Sequence, residues 1–242
     1  MEPIYRQTVQ IEDIHLDCFG RVKPSVLLYF AQEAAGKHAA LLGTDWDTLN
    51  KKDLFWAIIR HHVQVERLPS AGETILIETW PMPTTRVAYP RATVAYDAKG
   101  NVLFRTMAVW VLMNTRTRAM VLPGKSGVAV SGTLRGTELA IPGSIAPAAL
   151  KNRRSRAVGY TELDRNGHMN NTRYLDWVDD LLPAAFHKEK PVREFTVCYL
   201  SEAREAQVLE LSWEQTEDGI FRVEACRTAD RQERVFAAQL QF

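Results

Sequence analysis

The 242-residue chain is 46% hydrophobic and 24% charged, ordinary globular composition with length for one large core or two smaller ones. Thirty basic residues against twenty-nine acidic ones leave a formal net charge of +1, so an anionic partner must meet a local basic patch, which argues against generic nucleic-acid binding. The opening "MEPIYRQTVQIEDIH" has no positive region followed by an apolar core, and no uncharged apolar run approaches the roughly 20 residues that cross a bilayer; the expectation is a soluble cytoplasmic protein.

In chain order, the first predicted element is a helix through "PSVLLYFAQEAAGKHAALLG". Pro24 suits its first position, and Leu27, Phe30, Ala31, Ala34, His38 and Leu41 recur at helical spacing. Val26, Leu28 and Tyr29 fill other faces, so this helix is expected to be buried in the concavity of a sheet. Strand-rich stretches follow: "FWAIIRHHVQVERL", "ETILIETW", "RVAYPRATVAYD", a "DAKGN" turn, and "VLFRTMAVWVLM". Short turns between consecutive strands imply antiparallel pairing. His61 and His62 invite a metal reading, but neighbours on a strand point to opposite faces, which favours sheet packing. Trp56 and Trp110 read first as core, and second as lining for an apolar tunnel.

Residues 127–155, rich in Gly, Ser and Pro and ending in the basic run "KNRRSR", read as a linker between an N-terminal domain at 1–126 and a C-terminal one at 156–242. Beyond it a second helix is predicted from about Asn170 to Leu182, with strands at 195–200, 208–215, 221–227 and 234–241 separated by "EDG" and "ADRQ" turns. The two halves thus repeat one order of elements. At an offset of 147, "DCFGRVKPSVLLYF" lies over "DRNGHMNNTRYLDW"; at a shorter one, "VERLPSAGETI" lies over "VCYLSEAREAQ", pairing Leu68 with Leu200 and Glu73 with Glu205. Cys18, Cys198 and Cys226 form an odd, widely spaced set without CxxC, which fits reduced thiols.

Chemistry concentrates in "LDRNGHMNN". If this segment is extended, Asp164, Asn166 and His168 project to one side, next to a helix amino terminus whose free N–H groups favour an oxyanion. The same residue types are common in caps and turns, and Asn170 or Asn171 has the placement of an N-cap. Phe19 and Arg21 stand at the equivalents of Asn166 and His168, so the first half lacks the polar set. That favours chemistry in the second half and leaves the first free to bind.

A long helix wrapped by an antiparallel sheet, twice in one chain, is an α+β fold of two tandem hotdog units. Over nearly its whole length the sequence resembles the acyl-acyl-carrier-protein thioesterases. The resemblance is carried by "WAIIRHHVQVERLPSAGETILIETWP", by "AVWVLMNTRTRAMVLP" and, most specifically, by D-x-N-x-H-x-N-N within "LDRNGHMNNTRYLDW". It implies a fatty acyl thioester hydrolase with Asp164, Asn166, His168 and Glu202 in the active site, and no metal or cofactor. His168 and Glu202 would activate water and move protons, Asn166 would orient the water or thioester, and Asp164 would fix its neighbours. Plant members often carry Cys directly after the Glu; here the position is Ala203. The implied partner is acyl carrier protein bearing a fatty acyl chain, with no nucleic acid and no membrane; "KNRRSR" is a candidate contact for that acidic carrier. A homodimer and a monomer both fit, and an acyl-CoA thioesterase and a non-catalytic acyl-thioester-binding protein are the alternative readings.

Overall fold

The computed structural model describes residues 3–229 and 233–242, so most of the predicted "ADRQ" turn lies outside the described residues. The chain divides into two compact units, Met1–Pro142 and Gly143–Phe242.

The first unit opens with β1 (Tyr5–Gln10) and a 3-10 turn at Asp13–His15, then α1 (Pro24–Leu41) and α2 (Trp46–Asn50). The strands β2 (Leu54–Val65), β3 (Thr74–Pro81), β4 (Tyr89–Tyr96), β5 (Val102–Asn114) and β6 (Met120–Val121) follow, then α3 (Pro123–Ser126). The antiparallel sheet runs β1-β3-β4-β5-β2, with β6 beside β5. Pro24 occupies the first turn of α1 as predicted, where its missing N–H costs nothing. Leu27, Leu28, Phe30, Ala31, Ala34, Ala35 and His38 are buried, yet Tyr29 and Leu41 are exposed. The helix lies on the sheet with one face open rather than enclosed all round, because apolar residues at its margins outnumber the positions that reach the sheet.

The second unit contains β7 (Asn152–Ala157), a 3-10 turn at Tyr160–Glu162, α4 (Arg173–Asp179), α5 (Ala184–Glu189), β8 (Glu194–Tyr199), β9 (Val208–Gln215), β10 (Phe221–Arg227) and β11 (Arg234–Gln241). Its antiparallel order, β8-β11-β10-β9-β7, matches β2-β5-β4-β3-β1 of the first unit. The helix predicted from about Asn170 to Leu182 is the shorter α4, ending at Asp179, and a separate α5 begins beyond it at Ala184. Pro183 stands before α5 in extended conformation and cannot continue α4.

The stretch read as a linker has no helix or strand from 127 to 151, and it packs on both units in turn. In the first unit Trp80 Nε1 donates to Glu138 (3.0 Å), and Arg135 pairs with Glu78 and lies over the Trp80 ring. In the second, Ala148 N donates to Glu224 and Arg234 to the carbonyl of Ile145. Its basic end is the edge strand β7.

The sheet faces beneath the two helices differ in chemistry. In the first unit His61 meets Thr106 Oγ1 (3.1 Å), Thr93 donates to Thr79 (3.0 Å), and Arg91 reaches Thr79 and, on α1, His38 (3.1 Å). Burial pushes the Arg91 guanidinium down to about 10. By strand register the same positions in the second unit hold Phe195, Ala238, Val223, Trp213 and Phe221. One inner face is polar; the other is apolar, with aromatic rings at three of these five positions.

Candidate active site

Local chain direction in the second unit is set by Glu162. Its carboxylate accepts from Gly159 N (2.8 Å), Trp177 Nε1 (2.6 Å) and Arg156 (3.2 Å), fixing the 3-10 turn against α4. The segment that follows is a tight turn, not the extended run expected from the sequence. A bridge between Leu163 and Met169 closes it, Gly167 adopts φ +73°, and Asp164 N donates to the His168 carbonyl (2.8 Å). Asp164 holds the turn from inside: its carboxylate accepts from Asn166 N (2.8 Å), His168 N (3.2 Å) and Asn166 Nδ2 (3.3 Å). This is the Asx-type turn that an Asp followed by Asn-Gly favours, and it overrides the strand period.

Met169 N donates to the carbonyl of Ala203 (2.8 Å), which brings the turn onto the loop after β8. There His168 Nε2 lies 3.2 Å from Glu202 Oε2. The His168 side chain is 11% exposed and that of Glu202 38%, so the pair is half-buried with one side open to solvent. The four predicted site residues therefore meet as two pairs, Asp164 with Asn166 and His168 with Glu202, joined through the His168 backbone. Tyr174, on α4, sits beside them; its hydroxyl meets the Ala203 backbone, and burial pushes its pKa well up.

The amino terminus of α4 departs from expectation. The helix starts at Arg173 behind Thr172, which makes no side-chain cap, while Asn170 Oδ1 accepts from Thr172 N (3.0 Å) and Oγ1 (2.9 Å) in the lead-in turn. Asn170 thus caps a turn ahead of the helix rather than the helix.

The first unit builds the same frame with other side chains. Asp17 accepts from Phe19 N (2.8 Å) and Arg21 N (3.0 Å), Gly20 adopts φ +75°, and Leu16 bridges Val22, all at the offset of 147. Beyond the helix the register is 134. Val22 N donates to Pro69 O as Met169 N does to Ala203 O, and Gly72 N to Ile11 O as Ala206 N does to Val158 O. The pairing of Leu68 with Leu200 and Glu73 with Glu205 was two residues out, misled by two chance identities. The counterpart of Glu202 is Leu68, not Ser70, so the first unit has an arginine and a leucine where the second has His168 and Glu202.

His61 and His62 lie at adjacent positions of β2, His61 engaged with Thr106 inside the unit. Trp56 donates to the Thr44 carbonyl and packs with Leu49, Leu54, Tyr89 and Trp110 in a cluster under α2. The basic run is largely neutralised within its own unit: Lys151 pairs with Glu214, Arg153 with Glu210, and Arg156 with Asp180 and Glu162. Arg154 donates to the Asp180 carbonyl.

None of the three cysteines forms a disulfide, and none adjoins the His168–Glu202 pair in sequence. Cys198 is buried with its thiol toward the Gly143 carbonyl, and burial together with Glu224 pushes the Cys226 thiol up, away from thiolate. A variant with all three replaced by Ser or Ala is expected to keep most of any hydrolytic rate and to resist thiol alkylation. A folded cysteine-free protein without activity would require a cysteine nucleophile.

Two units of this topology, with the polar turn in the second, define a double hotdog protein of the thioesterase kind. The chain belongs to the acyl-ACP thioesterase family: the family's N-terminal domain matches residues 2–122 and its C-terminal domain residues 146–242. It is similar to the chloroplastic dodecanoyl-[acyl-carrier-protein] hydrolase of Cinnamomum camphora, 27% identical over 222 residues that cover 86% of this chain and 58% of that protein. The chain thus spans a little over half the length of the curated relatives it matches. An acyl-ACP thioesterase from Bacteroides thetaiotaomicron superposes with TM-score 0.90 at 25% identity, covering 99% of this chain and 98% of that one. The 12:0-ACP thioesterase from Umbellularia californica shares the fold, with TM-score 0.84 at 23% identity over 100% of this chain and 97% of that one. Among the described residues no helix is long and apolar enough to cross a membrane.

Proposed function

We propose that the chain hydrolyses a fatty acyl thioester carried on acyl carrier protein, releasing the free fatty acid and the carrier thiol and so ending chain elongation. The observation that carries this reading is the 3.2 Å contact between His168 and Glu202, present in the second unit and replaced by Arg21 and Leu68 in the first. In the proposed reaction a water oxygen bonds to the thioester carbonyl carbon as its proton passes to the His168–Glu202 pair. The resulting oxyanion collapses, the carbon–sulfur bond breaks, and the proton goes to the leaving thiolate. Asn166 orients the water or the thioester, and Asp164 holds the turn that presents both. Relatives named as acyl-carrier-protein hydrolases support the carrier, and three cysteines outside any disulfide fit a reducing compartment such as the cytoplasm. The test is thiol release over a panel of acyl-carrier-protein and acyl-CoA substrates. Preference for CoA would reassign the carrier, and binding without release would make this an acyl-thioester-binding protein.

We further propose that the domains divide the work, the N-terminal one holding the acyl chain and the C-terminal one the chemistry. Thr79, Thr93 and Thr106 line the first unit's inner face together with His61 and Arg91, while Phe195, Trp213 and Phe221 stand at matching positions of the second, which favours the first as host. Ala34, fully buried on α1, is the probe. Ala34→Phe is expected to shift preference toward shorter chains, with an overpacking cost of about 1–3 kcal/mol in thermal unfolding. A variant that melts normally with an unchanged chain-length profile removes α1 from the chain's path.

A further inference from the structure

We propose that Arg227 is a positioning residue for Glu202, holding the loop that presents its carboxylate to His168; this inference rests on the hydrolase reading above. Glu202 lies on a segment without helix or strand, and its side chain is too exposed for packing to fix it. Backbone bonds from Leu200 N and Ser201 N to Val235 O and from Met169 N to Ala203 O anchor the segment, and one guanidinium at the end of β10 adds the side-chain grip. Arg227 Nη2 donates to the Glu202 carbonyl (2.5 Å) and to Ser201 Oγ (3.0 Å), and Nη1 to Gln207 Oε1 (2.5 Å). Its Nε pairs with Glu233 at 2.8 Å, and Glu233 in turn accepts from Ser201 Oγ, also at 2.8 Å. The fork geometry of arginine is what allows one side chain to grip both ends of the loop. Ala206, between those ends, is held at φ +61°, a conformation that a Cβ disfavours and that Gly72 supplies in the first unit.

Comparison of the units shows what this arrangement achieves. In the first, the carbonyl of Leu68, the counterpart of Glu202, also accepts from a guanidinium, but from Arg67 next to it in sequence (3.2 Å). Arg67 also pairs with Glu73, the counterpart of Gln207, at 2.6 Å. In the second unit Ser201 replaces Arg67, and the cation stands at the position of Asp97 on the neighbouring strand. An arginine at 201, adjacent to Glu202, would compete with His168 for its carboxylate. Moving the cation to β10 keeps the grip on the carbonyl from behind and leaves the carboxylate facing His168.

The experiment is steady-state hydrolysis by the intact chain, wild type against Arg227→Met and Arg227→Lys, across pH and alongside thermal melting. Arg227→Met is expected to lower kcat by about 10- to 100-fold, as loss of positioning does, with KM changed far less and the pH limb that reports the acid–base pair displaced. Arg227→Lys, one point charge for a fork, is expected to recover only part of the loss. If Arg227→Met does not fold, Ser201→Ala carries the test, with an expected drop in kcat of about fivefold from one lost hydrogen bond. Wild-type kcat and pH profile in a folded Arg227→Met, or in Ser201→Ala where that variant is needed, overturn the inference. Absence of thiol release by wild type overturns instead the hydrolase reading on which it rests.

Discussion

His168→Ala and Glu202→Gln are each expected to lower thioester hydrolysis by about 10²- to 10⁴-fold, the contribution of a positioned acid–base group, measured as kcat/KM for thiol release. The two side chains touch at 3.2 Å and act as one unit, so the double variant is expected to be little worse than either single one. Folding should survive both changes. Glu202 is half-buried on a loop, and the turn that carries His168 is held by Asp164 and by the Met169 contact to Ala203 rather than by the imidazole. Arg21→Ala supplies the control. Arg21 lies at the matching place in the first unit, paired with Asp17 and set over the Phe19 ring. Its loss is expected to leave the rate within a factor of about two, since surface ion pairs contribute little. A loss at Arg21 comparable to that at His168, with unchanged melting, would contradict a reactive second unit and a silent first.

The second large effect is on stability in acid, and it comes from His61. Burial, with a smaller contribution from neighbouring His62, pushes its imidazole down to about 3, against 6.5 in the unfolded chain. Below pH 6.5 the unfolded state takes up a proton that the folded state refuses, so stability falls as pH falls, and the loss is complete only near pH 3. Each pH unit inside that window costs about 1.4 kcal/mol, on the order of 2–3 kcal/mol between pH 6 and pH 4. His61→Phe, the residue that the second unit carries at the matching position, Phe195, is expected to flatten this slope. It removes Nδ1, a buried atom with no hydrogen-bond partner among the described residues. Denaturant unfolding at pH 7, 6, 5 and 4 decides: equal pH slopes for variant and wild type would mean that His61 ionises in the folded protein.

Some of this protein was plain in its sequence. Pro24 announced the start of α1, and the strands β9, β10 and β11 run over the residues that alternation and turn signals marked. The edge strand β7 was illegible because "NRRSRA" has no apolar face to alternate; its place is dictated by pairing with β9. The predicted helix stopped ahead of Pro183, but apolar Leu181 and Leu182 carried it past the end of α4 at Asp179, and the short α5 beyond Pro183 went unread. The candidate site divided along similar lines. Asp164, Asn166 and His168 were identifiable by composition, yet their geometry was not, since a turn closed by Asp164 and Gly167 replaced the expected strand period. Glu202 came only with the family resemblance, because a carboxylate on a polar loop has no local signature. Arg227 had none either: it acts across 25 residues of chain, a distance over which one sequence shows no pattern.

The two repeat registers carry a consequence in polymer terms. The contact that ties the first unit's turn to its loop joins Val22 to Pro69, 47 positions apart, whereas its counterpart joins Met169 to Ala203, 34 positions apart. Ring-closure entropy grows only with the logarithm of contour length, so this trimming changes the free energy of closure by about 0.3 kcal/mol. What disappeared was helix, the long α1 giving way to the short α4, while the anchor points stayed in place. Insertions or deletions between these two anchors are therefore nearly neutral for chain closure, and natural variation in this family has room to accumulate there without disturbing the turn or the loop on either side.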